Sequence, residues 1–493
     1  MTLTYLKKYI KVIVPKFIIL NRKENLYKYD KMIRILPILL ILLCVACTGK
    51  KEVKAPNILI INVDDLGWKD VGFMGSQYYE TPNIDELAGQ GMIFTNGYAS
   101  ASNCAPSRAC LMTGQWTPRH GVYTVTPSAR GKSEDRKLIP TKNTHTLAAK
   151  HKILPEVLQE NGYTTCHAGT WHLSDNPLEY GFDINIGGAH NGLPKSYYPP
   201  YKNVAIEKGK TEYLTDLIVE KALNFIDTVQ KPFYLNYAPY AVHVPIMPVD
   251  SIVPKYEKKS PWQGQENAEY ASMVDNLDRN IGLIIGKLKE RGLYDNTLIV
   301  FTSDNGGLYG ITKQKPLRAG KGSYYEGGIR EPFFFVFNKK IKPGTKSAVP
   351  ITNLDIFPTV LKYAQVGSQS LQLDGKNLAA VLEERQTTME RPLFWHFPVY
   401  LQAYNIHDNE TRDSLFRTRP GSVVRKGDWK LHYYFEDDGM ELYNLSKDIG
   451  EKNNLVTAHP EKANELLELL KKWWEETNAP IPTELNPEYK TEL

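Results

Sequence analysis

The stretch NCAPSRACLMTG, residues 103–114, places a thiol beside a permanent positive charge. Cys104 lies four residues before Arg108, where the pattern predicts that a helix begins, and Gly114 marks its end. A nearby cation and the first N–H groups of a helix both favour negative charge on a cysteine. The residue types alone therefore make Cys104 a candidate thiolate nucleophile.

Two polar pairs, Asp64–Asp65 and Asp304–Asn305, each follow a short apolar run that predicts a buried strand. Open α/β sheets bind their ligands at the carboxyl ends of parallel strands. Three carboxylates and one amide oxygen are hard ligands, which suit calcium or magnesium better than zinc. Either pair alone is more typical of a polar turn, so their joint occurrence is what favours a cation site.

The stretch that contains Cys104 resembles the signature of the sulfatase family, C-x-P-S-R-x-x-L-x-T-G, at every defined position. In that family the cysteine is oxidised after translation to Cα-formylglycine, whose hydrate carries two oxygens on one carbon. The resemblance implies that Cys104 is a precursor, and that Arg108 contacts both its oxidised product and the sulfate. A buried structural thiol and a disulfide with Cys110 are the other interpretations of Cys104.

The resemblance extends over most of the chain beyond its first residues. It implies one calcium ion per active site, with magnesium the less favoured choice, held by Asp64, Asp65, the modified Cys104, Asp304 and Asn305. It also implies that four residues bind sulfate or transfer protons: Arg108, His172, His243 and Lys321. One position departs from the pattern, because Thr170 stands where the family motif G-K-W-H-L has its lysine.

The implied reaction is the hydrolysis of a sulfate ester, an anion that needs positive charge around it. One oxygen of the hydrated formylglycine attacks sulfur, a histidine protonates the departing alcohol, and the second oxygen then expels sulfate. The implied partners are a sulfated glycan or small sulfate ester and an enzyme, formylglycine-generating or radical-type, that matures Cys104. Because Thr170 lacks charge, a catalytically weak or silent glycan-binding homologue is the alternative function.

The loop over residues 181–201 and the segment Trp395–Pro398 resemble the carbohydrate-sulfatase branch of the family. This implies that His190 and His396 bind sugar hydroxyls and that aromatic rings of these segments stack on sugars. For any single tyrosine, packing within the loop is the simpler explanation. Galactose or N-acetylgalactosamine sulfates are the expected substrates. A phosphomonoester or phosphonate-ester hydrolase would share the metal site but not the whole signature.

The elements that must position these residues follow an α/β pattern. Strand-like runs at 57–63, 163–168, 232–237 and 297–303 alternate with helical periodicity at 212–227 and 268–291. Together with the resemblance, this predicts a large mixed, mostly parallel sheet flanked by helices on both faces, similar to alkaline phosphatase. Residues 422–435 and 441–445 predict a small antiparallel sheet, and residues 460–477 predict a closing helix.

The predicted domains are a leader over 1–47, a catalytic domain over 48–385 and a C-terminal subdomain over 386–493. The leader has a basic start at Lys31–Arg34 and an apolar run too short to span a bilayer. It resembles a bacterial lipoprotein signal, in which Cys47 is lipidated; a soluble signal peptide and a retained anchor are the alternatives. The expected location is the periplasm or cell surface, with a lipid as the only membrane contact, and translation starts at Met1 or Met32.

The net charge of +5 belongs to this leader, because residues 1–46 carry nine Lys or Arg against two acidic residues. The rest of the chain has a net charge of −2, which gives no support for nucleic-acid binding. Outside the leader the three cysteines, Cys104, Cys110 and Cys166, are too few for a disulfide framework. The stability of the fold must therefore come from its core.

Overall fold

The computed structural model describes residues 55–125, 127–230, 232–405 and 410–490. The predicted leader and Cys47 lie outside these residues, so the lipoprotein signal stays a prediction. From Ala55 onward the chain forms one compact unit, in which the two predicted domains pack together. Across the described part of the chain, no helix is both long and apolar enough to cross a membrane.

The strands lie along the chain in the following order: β1 (Asn57–Val63), β2 (Met92–Phe94), β3 (Gly97–Tyr98), β4 (Thr164–Gly169), β5 (Ile184–Ile186), β6 (Phe233–Ala238), β7 (Thr297–Ser303), β8 (Phe333–Val336), β9 (Thr345–Ser347), β10 (Ile351–Thr352), β11 (Leu393–Phe397), β12 (Leu401–Gln402), β13 (Phe416–Thr418), β14 (Gly421–Lys426), β15 (Trp429–Tyr434) and β16 (Met440–Asn444). The α-helices are α1 (Pro82–Gly89), α2 (Cys104–Thr113), α3 (Thr117–His120), α4 (Leu154–Glu160), α5 (Leu214–Thr228), α6 (Val253–Glu257), α7 (Ala268–Glu290), α8 (Glu326–Ile329), α9 (Ile356–Ala364), α10 (Ala379–Leu382) and α11 (Pro460–Thr477). Short 3₁₀ helices cover Gly72–Met74, Ser133–Asp135, Pro177–Tyr180, Tyr294–Asn296 and Asn353–Asp355.

The main sheet has eight strands in the order β5-β4-β6-β1-β7-β8-β2-β9. The first five run parallel, whereas β8 is antiparallel to both of its neighbours. In the centre, β1 pairs with β7 in a register that sets Val63 opposite Ser303. The residues that follow these two strands therefore emerge side by side at one edge of the sheet, as expected for parallel strands.

Side chains of β1 alternate between two cores because successive residues of a strand point to opposite faces. Leu59 and Ile61 pack in a core with residues of α1, α5 and α7. Ile58 and Ile60 face the other side, where they join residues of α2, α4 and α9. This burial on both faces explains the continuous apolar run of the strand and confirms the predicted helices on both faces of the sheet.

The C-terminal part forms an antiparallel sheet in the order β11-β14-β15-β16. Helix α11 covers one face of it, and its apolar stripe buries Leu466, Leu470 and Trp473 against Phe394 and Leu431. The predicted sheet and closing helix are therefore confirmed. Strand β11 was not predicted, because its four apolar residues and one histidine, next to a proline, have no alternation that separates a strand from a loop.

Candidate active site

The two polar pairs meet where β1 and β7 end. The backbone N–H of Asp65 donates to Asp304 Oδ1 over 3.2 Å, and Asn305 Nδ2 donates to Asp65 Oδ1 over 2.7 Å. All four residues, Asp64 included, are buried. The parallel register of the strands thus brings together oxygens that are about 240 residues apart in sequence.

Helix α2 begins at Cys104 and points its N-terminus toward these carboxylates. Cys104 Sγ lies 4.0 Å from Asp65 Oδ1. One turn further along, the Arg108 guanidinium donates from Nε to Asp304 Oδ2 over 2.9 Å and lies 3.6 Å from Asp64 Oδ2. Arg108 also donates from Nη1 to the carbonyl of Thr170 over 2.9 Å. The spacing of four residues therefore puts the thiol and the guanidinium on the same face of the helix.

Lys321 connects the parts of the site. Its Nζ lies 2.6 Å from Asp65 Oδ1, 3.1 Å from Cys104 Sγ and 3.0 Å from His243 Nε2. The Nδ1 of His243 is 2.7 Å from the carbonyl of Val244. Because Lys321 can only donate, this arrangement assigns the proton of a neutral His243 to Nδ1 and leaves Nε2 as the acceptor.

His172 and His190 lie next to each other, with ring centroids 6.3 Å apart and nearly perpendicular planes. The His172 backbone has a φ of 67°, and Gly192 fits against the ring because a Cβ there would come within 2.1 Å of Cε1. Burial lowers the pKa of His172 well below its usual value, and the charges of Arg108 and Lys321 add to the effect. His172 is therefore a neutral imidazole in this arrangement.

Burial also decides the state of the thiol. It raises the pKa of Cys104 well above its ordinary value; Lys321 acts against this rise, whereas Asp64, Asp304 and Asp65 add to it. The unmodified side chain is thus a neutral thiol, which is a poor nucleophile. The simple thiolate hypothesis does not fit this environment, whereas a precursor that needs no ionised sulfur does.

The residues at the strand ends fit a hard divalent cation. Both carboxylate oxygens of Asp64 and Oδ1 of Asn305 are buried without a hydrogen-bond partner among the described residues. Burial, followed by the charge of Asp304, raises the pKa of Asp64 well above its usual range. A buried carboxylate in this state gains most from a cation, and oxygen ligands of this kind are those that calcium and magnesium take.

A cluster of His, Cys and carboxylate atoms that could hold a metal ion differs from the predicted set. Atoms of Asp64, Asp65, Cys104 and His243 lie within 4.8 Å of one another, whereas Asp304 is drawn toward Arg108. His243 Nε2 already faces Lys321 at 3.0 Å, so we assign His243 to that contact and keep the oxygen set as the candidate ligands. The predicted ligand roles of Asp304 and Asn305 stay predictions.

Thr170 is fully buried beside Arg108. Its hydroxyl has no hydrogen-bond partner among the residues that the structure describes. The departure from the family lysine therefore leaves an uncharged side chain in the wall of the site.

The structure corrects two predictions about substrate binding. His396 is 1% exposed, and its ring nitrogens contact Ser422 Oγ at 2.8 Å and the Pro480 carbonyl at 3.0 Å, so it cannot reach a sugar hydroxyl. Tyr197 and Trp395 are buried and donate to backbone carbonyls, so they stabilise the fold and do not stack on sugars. His190 keeps a position from which it can contact substrate, beside His172.

Asp70 is a buried residue that connects loops of the site and that sequence reasoning missed. It is fully buried and accepts hydrogen bonds from Thr312 Oγ1 over 2.7 Å, Gln314 Nε2 over 2.8 Å and Tyr270 OH over 2.7 Å. It thereby joins the loop that follows Asp65 to the loop that follows Asn305. No local pattern points to it, because its side-chain partners lie 195 to 244 residues away and only Gly67 is near in sequence.

Comparison with known proteins shows what the chain resembles. The family described as Sulfatase matches residues 56–366, and the one described as N-sulphoglucosamine sulphohydrolase, C-terminal, matches residues 320–479. A sulfatase of Formosa agariphila is 32% identical over 93% of this chain and 95% of its own length. The human N-acetylgalactosamine-6-sulfatase is 31% identical over 69% of this chain and 68% of its own length. The crystal structure of Ps i-CgsB in complex with k-i-k-neocarrahexaose superposes with a TM-score of 0.71 at 30% identity, covering 88% of this chain and 95% of that one.

Proposed function

The chain belongs to the sulfatase family and hydrolyses sulfate esters, and we propose that it acts on carbohydrate sulfates through a formylglycine made from Cys104 and a bound divalent cation. The observation that carries this proposal is the position of Lys321. One ammonium group contacts the predicted nucleophile, a candidate cation ligand and a histidine, at 3.1, 2.6 and 3.0 Å. Such a cation is suited to bind the oxygens of an ester at the point of attack.

The cation would be held by oxygens of Asp64, Asp65, Asp304 and Asn305, together with the modified residue 104. When bound, it supplies Lewis-acid charge that neutralises a sulfate ester. Calcium is the expected ion, and magnesium is the second choice, because the candidate ligands are carboxylate and amide oxygens. Asp70 supports the arrangement by holding both ligand loops.

Cys104 Sγ marks where the oxygens of formylglycine would attach to Cβ. The hydrated aldehyde supplies one oxygen for attack on sulfur and a second whose deprotonation releases sulfate. Arg108 orients the ligand carboxylates through Asp304 and Asp64, and the N-terminus of α2 adds N–H groups that favour an anion.

The departing alcohol needs a proton, and the geometry favours His243 as its donor. Lys321 Nζ lies 3.0 Å from the unprotonated His243 Nε2 and can pass it a proton, which Nε2 then donates to the alcohol oxygen. His172, beside His190, then faces the sulfate as a neutral hydrogen-bond donor.

Galactose or N-acetylgalactosamine sulfates are the proposed substrates. Support comes from the similarity to N-acetylgalactosamine-6-sulfatase and to a protein crystallised in complex with k-i-k-neocarrahexaose. The neutral wall at Thr170 motivates a second candidate function, a homologue that binds such glycans without releasing sulfate.

The test is sulfate release from defined galactose and N-acetylgalactosamine monosulfates and from their oligosaccharides, with a phosphate monoester as comparison. The proposal predicts turnover of at least one sulfated sugar, absent in Cys104→Ala, whose folding is unchanged. Preferred turnover of the phosphate ester would favour the phosphohydrolase alternative. Glycan binding without sulfate release, in protein whose Cys104 is shown to be converted, would favour the silent homologue.

A further inference from the structure

Tyr404 is a large aromatic side chain that the fold leaves exposed near the active site. It is 64% exposed, and its ring lies on the guanidinium of Arg417, with Cζ 3.6 Å from the ring centroid. Arg417 itself is only 7% exposed. One face of the ring is thus covered by a buried cation, and the other is open to solvent.

Arg417 ties this ring to the catalytic lysine. Its Nη1 donates to the carbonyl of Lys321 over 3.0 Å, and its Nε donates to the carbonyl of Gln402 over 3.0 Å. Gly322 makes room for the guanidinium, because a Cβ at that position would lie 2.6 Å from Nη1. The ring is therefore fixed by a short chain of contacts to the residue whose Nζ lies 3.1 Å from Cys104 Sγ.

The surroundings of the ring are positively charged. Arg417 has no ion pair with a carboxylate among the described residues, and its bonds go to backbone carbonyls and to Tyr404. From other elements, the charges of Arg130 and Asp65 act on Arg417 with opposite signs. Arg130 is half-buried and also acts electrostatically on Cys104. A ring in this setting favours an apolar surface that carries acidic groups at its margin.

We propose that Tyr404, supported by Arg417, is a stacking platform for the sugar unit next to the sulfated one. The C–H face of a pyranose packs on an aromatic ring, and the cations around it suit a further sulfate or carboxylate on the glycan. Because the guanidinium already orders the ring, binding costs little conformational entropy. A ring needed for core packing would be buried, as Tyr197 and Trp395 are. This inference rests on the proposed function and adds oligosaccharides to its substrate class.

The test compares Tyr404→Ala with two controls. Tyr404→Phe keeps the aromatic ring, and Tyr489→Ala removes another exposed tyrosine, which lies in the C-terminal segment. KM is measured on hexasaccharides of carrageenan and chondroitin sulfate and on galactose and N-acetylgalactosamine monosulfates. We expect Tyr404→Ala to raise KM for the hexasaccharide by about tenfold, with kcat and the monosaccharide KM unchanged. Tyr404→Phe and Tyr489→Ala should behave like the wild type. Equal effects on both substrate sizes, or no effect on the hexasaccharide, would overturn the platform.

Calorimetric binding separates this inference from the proposed function. The same hexasaccharides are titrated into Cys104→Ala and into the double variant that also carries Tyr404→Ala. Weaker binding by the double variant supports the platform even if the wild type releases no sulfate. If the two variants bind the hexasaccharides equally, the platform is contradicted. It is also contradicted if Cys104→Ala binds neither hexasaccharide, even where the wild type hydrolyses monosulfates.

Discussion

At the scale of single residues, Lys321 links the parts of the site, because it contacts Asp65, Cys104 and His243 together. We predict that Lys321→Met lowers kcat by about 100- to 1,000-fold, the usual cost of losing one donor to a developing charge. Lys321→Arg keeps the charge but not the compact ammonium, so it should recover only part of the rate. Steady-state kinetics on the preferred sulfated sugar measures both, and a wild-type rate for Lys321→Met would refute the assignment.

Thr170 gives a second prediction at this scale. Its buried hydroxyl has no hydrogen-bond partner in the described part of the chain, and the family lysine would place a positive charge in the same wall. Thr170→Lys should raise kcat by about tenfold or more if the site is only weakened. Thr170→Met adds a side chain of similar length without charge and serves as the control. If the lysine variant is no faster than the methionine variant, charge at this position does not limit the reaction.

At the scale of elements, the end of β4 decides where Thr170 and His172 lie. Gly169 has a φ of +113°, and a Cβ there would come within 1.8 Å of the Ala238 carbonyl on β6. We predict that Gly169→Ala destabilises the protein by more than about 1 kcal/mol and also lowers kcat, because both strands must separate. Gly286→Ala is the matched control. It lies in α7 with nothing within 4 Å of the added Cβ, so it should stabilise by roughly 0.5–1 kcal/mol. Denaturant unfolding measures the free energy of unfolding of both variants. A similar change in the two variants would contradict the role given to Gly169.

The main strands and helices could be predicted from sequence because burial on both faces leaves a continuous apolar run, as in β1 and β7. The position of Asp64 beside Asp304 follows from the prediction of β1 and β7, because neighbouring parallel strands end at the same edge of the sheet. The aromatic segments could not be assigned, because burial of Tyr197 and exposure of Tyr404 depend on distant elements. His396 was misjudged for the same reason: Ser422 and Pro480, which engage its ring, lie on other parts of the chain.

At the scale of the whole molecule, a buried ionic cluster joins the catalytic part to the C-terminal sheet. Lys430 of β15 lies 3.0 Å from Glu326 Oε1 of α8 and 2.9 Å from Glu451 Oε1, and all three are fully buried. Glu326 also accepts from Tyr98 OH and pairs with Arg330. Because α8 follows Lys321 by only a few residues, this cluster helps to hold the catalytic lysine.

We predict that Lys430→Met destabilises the fold by about 3–5 kcal/mol, because two buried carboxylates lose the lysine that they share. Lys472→Met removes an exposed helix pair with Glu476 and should change stability by no more than about 0.5 kcal/mol. Urea unfolding followed by fluorescence measures both. Equal stability of the two variants would show that the cluster does not hold the two parts together.

The same cluster predicts a pH dependence. Burial alone would raise the pKa of Glu326, but Lys430, Arg330 and Arg425 outweigh it and lower the pKa to about 2, from 4.5. A depressed carboxyl pKa stabilises the fold above its unfolded value, so this contribution should be lost as pH falls from about 4.5 to about 2. Unfolding free energies measured across this range should fall less steeply in Glu326→Gln than in the wild type. Identical slopes would contradict the assignment.

The central claim is that sulfate ester hydrolysis depends on the oxidation of Cys104. The most direct measurement prepares the protein with increasing amounts of a maturation enzyme and follows two quantities in each preparation. Peptide mass spectrometry gives the fraction of Cys104 that carries an aldehyde, and sulfate release gives the rate. We predict that the rate rises in proportion to the aldehyde fraction and extrapolates to zero without it. A full rate in protein that retains the thiol, or no rate on any sulfated sugar after complete conversion, would contradict the account.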